Sequence, residues 1–307
     1  MMSMRETMRP VVAGIGEVLW DMLPSGRQPG GAPANFAYHA GLLGADASMV
    51  SMVGTDAPGD ALVARLATQG LDTQYIGRDS DHPTGTVTVV LDGEGIPIYT
   101  IHENTAWDNL DLTAIPDIGT LATSCHAVCF GSLAQRSSRT RAAIAAFLDM
   151  TSPDCLHVFD INLRQQYYSA EIIDSFLRYA DVLKLNDSEL PVVVSLLGID
   201  CHGDEAIQEL LDTYGLDLVA LTRGAHGSRL VGAGMEEDHP GYAARIADTV
   251  GAGDAFTAAL TAGLLRGMPL DVLNDAANRV AAFVCASDGA MPALPDEIKA
   301  LFAGCQW

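Results

Sequence analysis

The chain has 307 residues, of which 49% are hydrophobic and 18% are charged, and this composition excludes an intrinsically disordered protein. Acidic residues outnumber basic residues 39 to 17, giving a formal net charge of −22. A surface of this sign repels nucleic-acid phosphates and anionic lipids, so we expect no nucleic acid and no membrane as partners. The six cysteines form no Cys-x-x-Cys pair and no secretory leader is evident, which predicts a cytoplasmic protein with free thiols.

In chain order, short β-branched runs alternate with longer amphipathic segments. This alternation is typical of a mostly parallel, doubly wound sheet with helices on both faces, so we predict an α/β fold. The predicted strands span residues 11–15, 48–53, 127–130, 157–160, 182–185 and 218–222. The predicted helices span residues 34–43, 60–69, 138–149, 172–179, 205–213, 252–266, 270–287 and 295–302.

One segment departs from this alternation. Two β-patterned runs at residues 86–91 and 96–101 flank an Asp-Gly-Glu-Gly turn sequence at 92–95, which predicts a β-hairpin. Since a hairpin cannot join two parallel strands, we expect it to project from the main sheet. The prediction is one domain over residues 1–307, with a small β-sheet lid formed from about 18–30 and 86–105.

A glycine-rich sequence, Asp-Thr-Val-Gly-Ala-Gly-Asp-Ala-Phe, lies directly before a predicted helix. Gly251, Ala252 and Gly253 let a ligand approach the amides of the first helical turn, which with the helix dipole favour anionic oxygen. Asp254 follows them and is positioned to accept a proton from a hydroxyl that attacks a phosphoryl group. The alternative is that Asp248 or Asp254 is a helix N-cap and the glycines form an ordinary turn.

A second glycine-rich sequence, Pro-Gly-Gly-Ala-Pro-Ala-Asn-Phe-Ala, introduces the helix predicted over residues 34–43. Gly30 and Gly31 allow the backbone to lie close to a small polar ligand, and Asn35 offers both a donor and an acceptor. The alternative is a glycine-rich turn with proline at the helix start.

Polar residues follow two neighbouring predicted strands, beginning at Asp160 and at Lys184. Doubly wound sheets bind ligands just past the carboxyl ends of their strands. The chain has only two lysines and no P-loop sequence, so any phosphate must be held by backbone amides, arginine and metal. Arg164 has a planar, permanently charged guanidinium suited to a phosphate oxygen. The alternatives are a surface salt bridge for Arg164 and a capping or orienting role for Asp160.

These motifs, in this order, resemble the ribokinase-like (PfkB) family of carbohydrate kinases over nearly the whole chain. The resemblance implies that Asp254 is the general base and that the amides of Gly251, Ala252 and Gly253 form the anion hole. It also implies a monovalent-cation site, for K⁺, that uses Asp248. A capping role explains Asp248 equally well.

The sequence Gly-Gly-Ala-Pro-Ala-Asn resembles that of fructokinases more than that of ribokinases, which carry lysine in this loop. Upstream, Gly-Glu-Val-Leu-Trp-Asp matches a fructokinase-like start. The resemblance implies that Asp21, with Gly30, Gly31 and Asn35, binds the sugar. The Tyr-Tyr pair beginning at Tyr167 departs from the Leu-Trp pair frequent in fructokinases, which leaves the identity of the sugar open.

On the nucleotide side, the resemblance implies that Asn186 and Glu189 act on Mg²⁺ through ordered water, since Mg²⁺ keeps much of its hydration shell. Three residues on this side also have a purely structural alternative. Glu189 could be an acid that interacts with the helix dipole in the first turn, Gly224 could be the glycine that a turn requires, and Asn278 could be a hydrogen-bonded polar residue of a helix. The ATP contacts that the resemblance implies are Asn186, Thr222, Gly224, Gly253 and Asn278.

The expected function is ATP-dependent phosphorylation of a primary hydroxyl of a monosaccharide, and D-fructose is the favoured substrate. The resemblance also implies a homodimer in which the lids of the two subunits pair. The same chemistry on ribose, a nucleoside or 2-keto-3-deoxygluconate stays open, as does a non-catalytic sugar sensor on a kinase scaffold. A nicotinamide-dependent oxidoreductase is disfavoured because Leu19 stands where the dinucleotide fingerprint needs its third glycine.

Overall fold

The computed structural model describes residues 9–23, 26–91 and 97–303 of the chain. Within these ranges the strands are β1 (Val11–Ile15), β2 (Leu19–Leu23), β3 (Gly26–Gly30), β4 (Asp46–Gly54), β5 (Ile76–Asp79), β6 (Gly85–Leu91), β7 (Pro97–Ile101), β8 (Ala127–Gly131), β9 (Leu156–Asp160), β10 (Val182–Asn186), β11 (Leu218–Thr222), β12 (Ser228–Gly232) and β13 (Met235–His239). The helices are α1 (Ala32–Leu42), α2 (Ala57–Thr68), α3 (Ile118–Ser124), α4 (Ser138–Asp149), α5 (Ala170–Leu177), α6 (Glu189–Leu197), α7 (Asp204–Tyr214), α8 (Ala252–Leu265), α9 (Leu270–Cys285) and α10 (Asp296–Lys299).

Nine strands form the large sheet, in the order β13-β12-β11-β10-β9-β8-β1-β4-β5. All pairs from β11 to β5 are parallel, whereas β12 runs antiparallel to both of its neighbours. The parallel strands therefore end at one common edge of the sheet, which is where such folds bind ligands. The predicted fold class is confirmed.

Helices cover both faces of this sheet. Side chains from α3 to α7 pack on one face and side chains from α1, α2, α8, α9 and α10 pack on the other, so two apolar cores sandwich the sheet. On the first face, the rings of Phe130 and Phe159 stack with centroids 5.1 Å apart, and Phe176 of α5 packs edge-on against Phe130. Central strands buried on both faces explain why their sequences are continuous apolar runs.

All six predicted strands and all eight predicted helices lie within a few residues of observed elements, the last of them ending in a 3-10 turn over Ala300–Phe302. The structure adds β5, β12 and β13 to the sheet, and the helices α3 and α6. β13 was not predicted because its sequence, Met-Glu-Glu-Asp-His, has an edge strand's charge and no apolar run.

A smaller sheet of order β3-β2-β6-β7 stands apart from the large one. The predicted hairpin is confirmed in its two strands, since β6 and β7 pair antiparallel, while the predicted turn at residues 92–95 lies outside the described residues. Gln165 Nε2 donates to the carbonyl of Tyr99 (2.8 Å) and Tyr167 Oη donates to Glu103 Oε1 (2.7 Å). These contacts join the small sheet to the loop after β9, at the carboxyl edge of the large sheet.

The cysteines in the described ranges are free, as expected. Burial raises the pKa of the Cys155 thiol to about 12 and holds the pKa of Cys129 well above its usual value, so these thiols are unreactive. Within the described part of the chain, no helix combines the length and apolarity needed to cross a membrane.

Candidate active site

The predicted site residues gather at the carboxyl edge of the large sheet. Asp160, Asn186 and Thr222 are the last residues of β9, β10 and β11. Thr257 Oγ1 of α8 lies 2.8 Å from Asp160 Oδ2, so the first turns of α8 lie at the same edge. The glycine-rich sequence and the strand-end residues, far apart in the chain, therefore share one location.

Asp254 and Asn35 are in direct contact. Asn35 Nδ2 donates a 2.7 Å hydrogen bond to Asp254 Oδ2, and both side chains are buried. The helix α1 positions Asn35 in its first turn, and Gly31, with φ +112°, is its N-cap and the single residue between β3 and α1. Within the described residues, Asn35 Oδ1 is buried without a partner, so it remains able to accept a hydrogen bond.

The residues before Asp254 form a narrow cup of backbone at the start of α8. Gly251 is the N-cap residue with φ +79°, and a Cβ on it would lie 2.6 Å from the Ala290 Cβ. A Cβ on Gly253 would lie 3.1 Å from Lys184 Nζ. Gly251 makes no side-chain cap to this helix, and the Ala252 amide donates only a long 3.4 Å bond to the Thr249 carbonyl. The first turn of α8 therefore keeps amides that a ligand can engage.

The carboxyl of Asp254 has an unusual basicity. Burial and the nearby Asp160 carboxylate raise the pKa of Asp254 to about 6. The hydrogen bond from Asn35 and the charges of Lys184 and Arg164 act in the opposite direction. Near neutral pH the group is ionised but holds a proton more tightly than an ordinary aspartate, as a general base requires.

Asp21 lies on β2, where the small sheet faces the site. A Cβ on Gly30, in the paired strand β3, would collide with Asp21 Oδ2, so glycine leaves room for this carboxylate. Burial raises the pKa of Asp21 to about 6, while the Arg164 charge lowers it and Asp248 raises it. The structure thus brings Asp21 and Gly30 together beside the charges that also surround Asp254.

Arg164 is exposed in the loop after β9, where its Nη1 donates to the carbonyl of Leu163 (3.1 Å). Its guanidinium lowers the pKa values of Glu17, Asp21 and Asp254. Arg164 therefore lies close enough to these three carboxylates to act on them electrostatically, and its exposed guanidinium is free to meet a phosphate oxygen.

Asn186 and Glu189 form a cap at the start of α6. Asn186 Oδ1 accepts from the Glu189 amide (2.9 Å), and the two carboxylate oxygens of Glu189 accept from the amides of Leu163 (2.9 Å) and Asn186 (2.8 Å). Because backbone amides already occupy this buried carboxylate, contact with Mg²⁺ through water fits it better than direct ligation. The described residues contain no group of three or more His, Cys, Asp or Glu able to hold a metal ion.

The residues expected on the nucleotide side differ in their accessibility. Gly224 has φ +55° and open space where a side chain would stand, and Thr222 is half-buried with its hydroxyl 3.4 Å from the Leu185 carbonyl. Asn278 is buried, and its Nδ2 donates to Ser228 Oγ (2.7 Å) and to the Asn274 carbonyl (2.8 Å). The arrangement at Asn278 matches the alternative of a satisfied helix amide.

Asp248 is half-buried and makes a local turn. Its Oδ1 accepts from the Val250 amide (3.0 Å), and the amides of Ala247 and Asp248 donate to the Cys285 carbonyl (2.9 and 3.2 Å). This geometry ties the loop before the amide cup to the end of α9. The alternative of Asp248 or Asp254 as helix N-cap is wrong, because Gly251 is the N-cap of α8 and Asp248 accepts from the Val250 amide before the helix begins. A cation at Asp248 would have to share the carboxylate with Val250.

Three buried residues near the site were not predicted to be functional. Glu17 has one carboxylate oxygen without a described partner, His39 Nε2 donates to the Ala290 carbonyl (2.9 Å), and Lys184 Nζ donates to Asp160 Oδ1 (3.0 Å). Their contacts span distant parts of the chain, so only the rarity of lysine in this sequence offered a local signal, and it pointed to Lys184.

Among the known proteins that this chain resembles, two relatives illustrate an alignment along most of their length. An uncharacterized sugar kinase from Pyrococcus horikoshii is 30% identical over 299 residues, covering 91% of both chains. A fructokinase from Escherichia coli is 31% identical over 298 residues, covering 92% of this chain and 95% of the relative.

Solved structures agree with the fold. The Pyrococcus horikoshii protein in complex with ATP superimposes with a TM-score of 0.80, covering 95% of this chain and 99% of that one. A fructokinase double mutant from Vibrio cholerae, with fructose, ADP and potassium bound, is 26% identical, has a TM-score of 0.77 and covers 96% of this chain and 99% of that one. The model of the pfkB family of carbohydrate kinases matches residues 25–297, and the chain therefore belongs to this family.

Proposed function

We propose that this carbohydrate kinase transfers the γ-phosphoryl group of ATP to a primary hydroxyl of a monosaccharide, with D-fructose as substrate and fructose 6-phosphate as product. The observation that carries the proposal is the 2.7 Å hydrogen bond between Asn35 and Asp254 at the amide cup. It joins a sugar-binding candidate to a carboxylate whose raised pKa suits proton abstraction.

In the proposed reaction, Asp254 accepts the proton of the sugar hydroxyl as its oxygen attacks the γ-phosphorus. One O–P bond forms, the bond from the γ-phosphorus to the bridging oxygen breaks, and ADP leaves with that oxygen. The amides of Gly251, Ala252 and Gly253 face the charge that develops on the transferred group. Arg164 at the mouth of the site adds a positive charge for the phosphate oxygens.

Sugar binding is assigned to Asp21, Gly30, Gly31 and Asn35. A carboxylate accepts two hydroxyl hydrogen bonds, and the unpartnered Oδ1 of Asn35 accepts another. The two glycines bring backbone close to a small ligand without steric conflict. The small sheet that carries Asp21 would act as a lid that excludes water, which otherwise hydrolyses ATP.

The nucleotide is assigned to the neighbouring strand ends, with Thr222 and Gly224 as the accessible contacts and Gly253 at the phosphates. Asn186 and Glu189 would hold Mg²⁺ through water, and the ion would neutralise part of the phosphate charge. Asn278 is a weaker candidate, because its amide nitrogen is already engaged. Asp248 would hold K⁺, an ion that is present in the Vibrio cholerae fructokinase structure.

Two observations favour fructose as the substrate: several relatives are named fructokinase, and the glycine-rich sequence before α1 resembles that of fructokinases. The test is ADP release with equal concentrations of fructose, glucose, ribose, a nucleoside and 2-keto-3-deoxygluconate, followed by ³¹P and ¹³C NMR of the product. The proposal expects the highest kcat/KM with fructose and phosphate on its C6 oxygen. A higher value with another acceptor would transfer the proposal to that sugar, and sugar-dependent thermal stabilisation without turnover would indicate a sensor.

We also propose that the chain works in the cytoplasm as one kinase domain and forms a homodimer through its lids. Exposed apolar side chains on the small sheet, Met22 (41% exposed) and Tyr99 (48% exposed), support pairing with a second copy. Light scattering after size-exclusion chromatography tests this, because a mass near 65 kDa is expected for twice the 32.4 kDa chain. A mass of one chain at micromolar concentration would contradict it.

A further inference from the structure

A lysine is buried directly beneath the amide cup. Lys184 is 5% exposed on β10, and its Nζ donates a 3.0 Å hydrogen bond to Asp160 Oδ1 on β9. The two residues are register partners in adjacent parallel strands, so the sheet itself sets their separation. Lys184 therefore has a fixed position, unlike a surface lysine whose ammonium moves on a flexible stem.

The partner carboxylate is fixed on its other side by α8. Asp160 Oδ2 accepts from Thr257 Oγ1 (2.8 Å), which also lies 3.0 Å from the Gly253 carbonyl oxygen. Both oxygens of Asp160 are thus engaged, one with the lysine and one with the first turns of the helix. The ion pair is attached to the segment that forms the cup.

This arrangement opposes the usual preferences of proteins. A positive charge beside the N-terminus of a helix is repelled by the helix dipole, and a buried ion pair loses its hydration. Yet a Cβ on Gly253 would lie 3.1 Å from Lys184 Nζ, so the ammonium is immediately behind the cup. A negatively charged ligand in the cup would be attracted by this cation more strongly than in water, because both are shielded from solvent.

We propose that Lys184 is a positioning residue for phosphoryl transfer: Asp160 and Thr257 hold its ammonium behind Gly253, where it supplies fixed positive charge to the amide cup and to Asp254. The inference rests on the proposed function, since it needs Asp254 as the base. It adds a buried cation to a site whose arginine, Arg164, is exposed at the mouth.

The charge state of the lysine supports this role. The Lys184 ammonium and the Asp160 carboxylate lie at ion-pair distance, 3.0 Å, and both side chains are buried, 6% and 5% exposed. On Asp254, Lys184 lowers the pKa and Asp160 raises it. The ionisable groups that surround Lys184 and Asp254 are Glu17 after β1, Cys129 on β8, Asp160 on β9, Arg164 after β9 and Glu189 on α6.

The test compares kcat against pH, from 5 to 9, for the purified full-length protein and the variants Lys184→Met, Asp160→Asn and the double variant. The acid limb is the pH range in which kcat falls as Asp254 becomes protonated. Removing the Lys184 ammonium should move this limb to higher pH by about one unit, and removing the Asp160 charge should move it to lower pH by about one unit. The double variant should return the limb close to its original position. A purely structural role predicts no such opposite displacement.

The plateau of kcat gives a second readout. We expect the plateau kcat of Lys184→Met and of the double variant to be at least about tenfold below that of the wild type. The loss should stay smaller than the roughly 10²–10³-fold loss caused by removing a donor that contacts the reacting group directly. The matched control is Lys299→Met, because Lys299 is the other lysine, lies on the surface and pairs with Asp296 at 3.4 Å. This control should keep both the plateau and the limb.

If Lys184→Met is too unstable to purify, Asp160→Asn and the double variant still decide the matter, because both leave no unpaired buried carboxylate at residue 160. Limbs that shift in the same direction, or that do not move, would overturn the inference. The variant Asp254→Asn distinguishes failure of this inference from failure of the proposed function. If Asp254→Asn keeps wild-type turnover, both the proposed function and the role of Lys184 are rejected. If Asp254→Asn loses turnover but the Lys184 and Asp160 variants leave the pH profile unmoved, only the role of Lys184 is rejected.

Discussion

Asn35 and Asp254 lie 219 positions apart in the chain, and their side chains meet in a buried 2.7 Å hydrogen bond. The bond brings the start of α1 to the start of α8. It also orients the carboxylate so that one oxygen is held and the other is left for a ligand proton. We consider this contact the centre of the site.

The first prediction concerns the pH dependence of turnover. Burial and the Asp160 carboxylate raise the pKa of Asp254 to about 6, so protonation below that value removes the base. We expect kcat at pH 5 to be about tenfold below its plateau at pH 7.5, since each unit below the pKa reduces the ionised fraction tenfold. Steady-state kinetics at saturating sugar and ATP measure this. A flat profile down to pH 5 would mean that Asp254 titrates as an ordinary carboxyl or is not the base.

The second prediction concerns the sugar pocket. In Gly30→Ala the new methyl group collides with Asp21 Oδ2 and displaces the carboxylate from its position on β2. Loss of one hydrogen bond to a charged group should raise the KM for the sugar about tenfold, with the KM for ATP unchanged. Gly119→Ala is the matched control, because a Cβ there meets nothing within 4 Å. Equal KM values for the sugar in both variants would exclude Asp21 from sugar binding.

The third prediction concerns a buried acid that the proposed reaction does not use. Glu17 is 4% exposed, and burial raises its pKa to about 7, although the amides of Glu17 and Ala32 act in the opposite direction. The folded protein therefore binds this proton more tightly than the unfolded chain does. Its contribution to stability is present below about pH 4.5 and is lost as the pH rises through 7.

Replacing this acid with a neutral isostere should remove that loss. Glu17→Gln is expected to raise the free energy of unfolding at pH 8 by on the order of 2–3 kcal/mol, and by much less at pH 5. Urea unfolding at the two pH values measures the difference, and the contributions of Asp21 and Asp254 cancel in the comparison with wild type. The same stabilisation at both pH values would show that ionisation of Glu17 has no part in it.

The fourth prediction has the opposite sign. Burial lowers the pKa of His39 to about 4, with the Ala290 carbonyl bond acting against it, while an unfolded histidine titrates near 6.5. The unfolded chain thus binds more protons between these values, so stability falls as the pH is lowered from about 6.5 to 4. His39→Phe should reduce this slope by up to one proton. Calorimetric or denaturant unfolding over this range measures the slope, and an unchanged slope would contradict the assignment.

Much of the fold was predictable because local sequence and burial agree. The central strands are apolar runs, and the α1 and α8 helices follow glycine-rich loops that suit their N-termini. The helix α6 was harder: its sequence, Glu-Leu-Pro-Val-Val-Val-Ser-Leu-Leu, has the β-branched residues of a strand. Asn186 and Glu189 form hydrogen bonds at its start, and one face of the segment is buried in the core. These tertiary contacts favour a helix over a strand, which local propensity alone does not indicate.

The site was predictable where its chemistry lies in contiguous motifs, as at Asp254 and the glycines before it. It was not predictable where the register of the sheet creates the contact. Lys184 and Asp160 are 24 positions apart, and only the pairing of β9 with β10 makes them neighbours. The nucleotide contact expected of Asn278 stays a prediction, and the folded chain directs its amide nitrogen toward Ser228, a contact that the sequence did not indicate.

The most direct test of the account is the turnover of Asp254→Asn with fructose and ATP. An asparagine oxygen can still accept the hydrogen bond from Asn35, so folding and ATP affinity should be retained. We expect kcat to fall by roughly 10²–10⁴, the usual contribution of a general base. Turnover equal to that of the wild type, in a folded variant with unchanged ATP Kd, would contradict the central assignment.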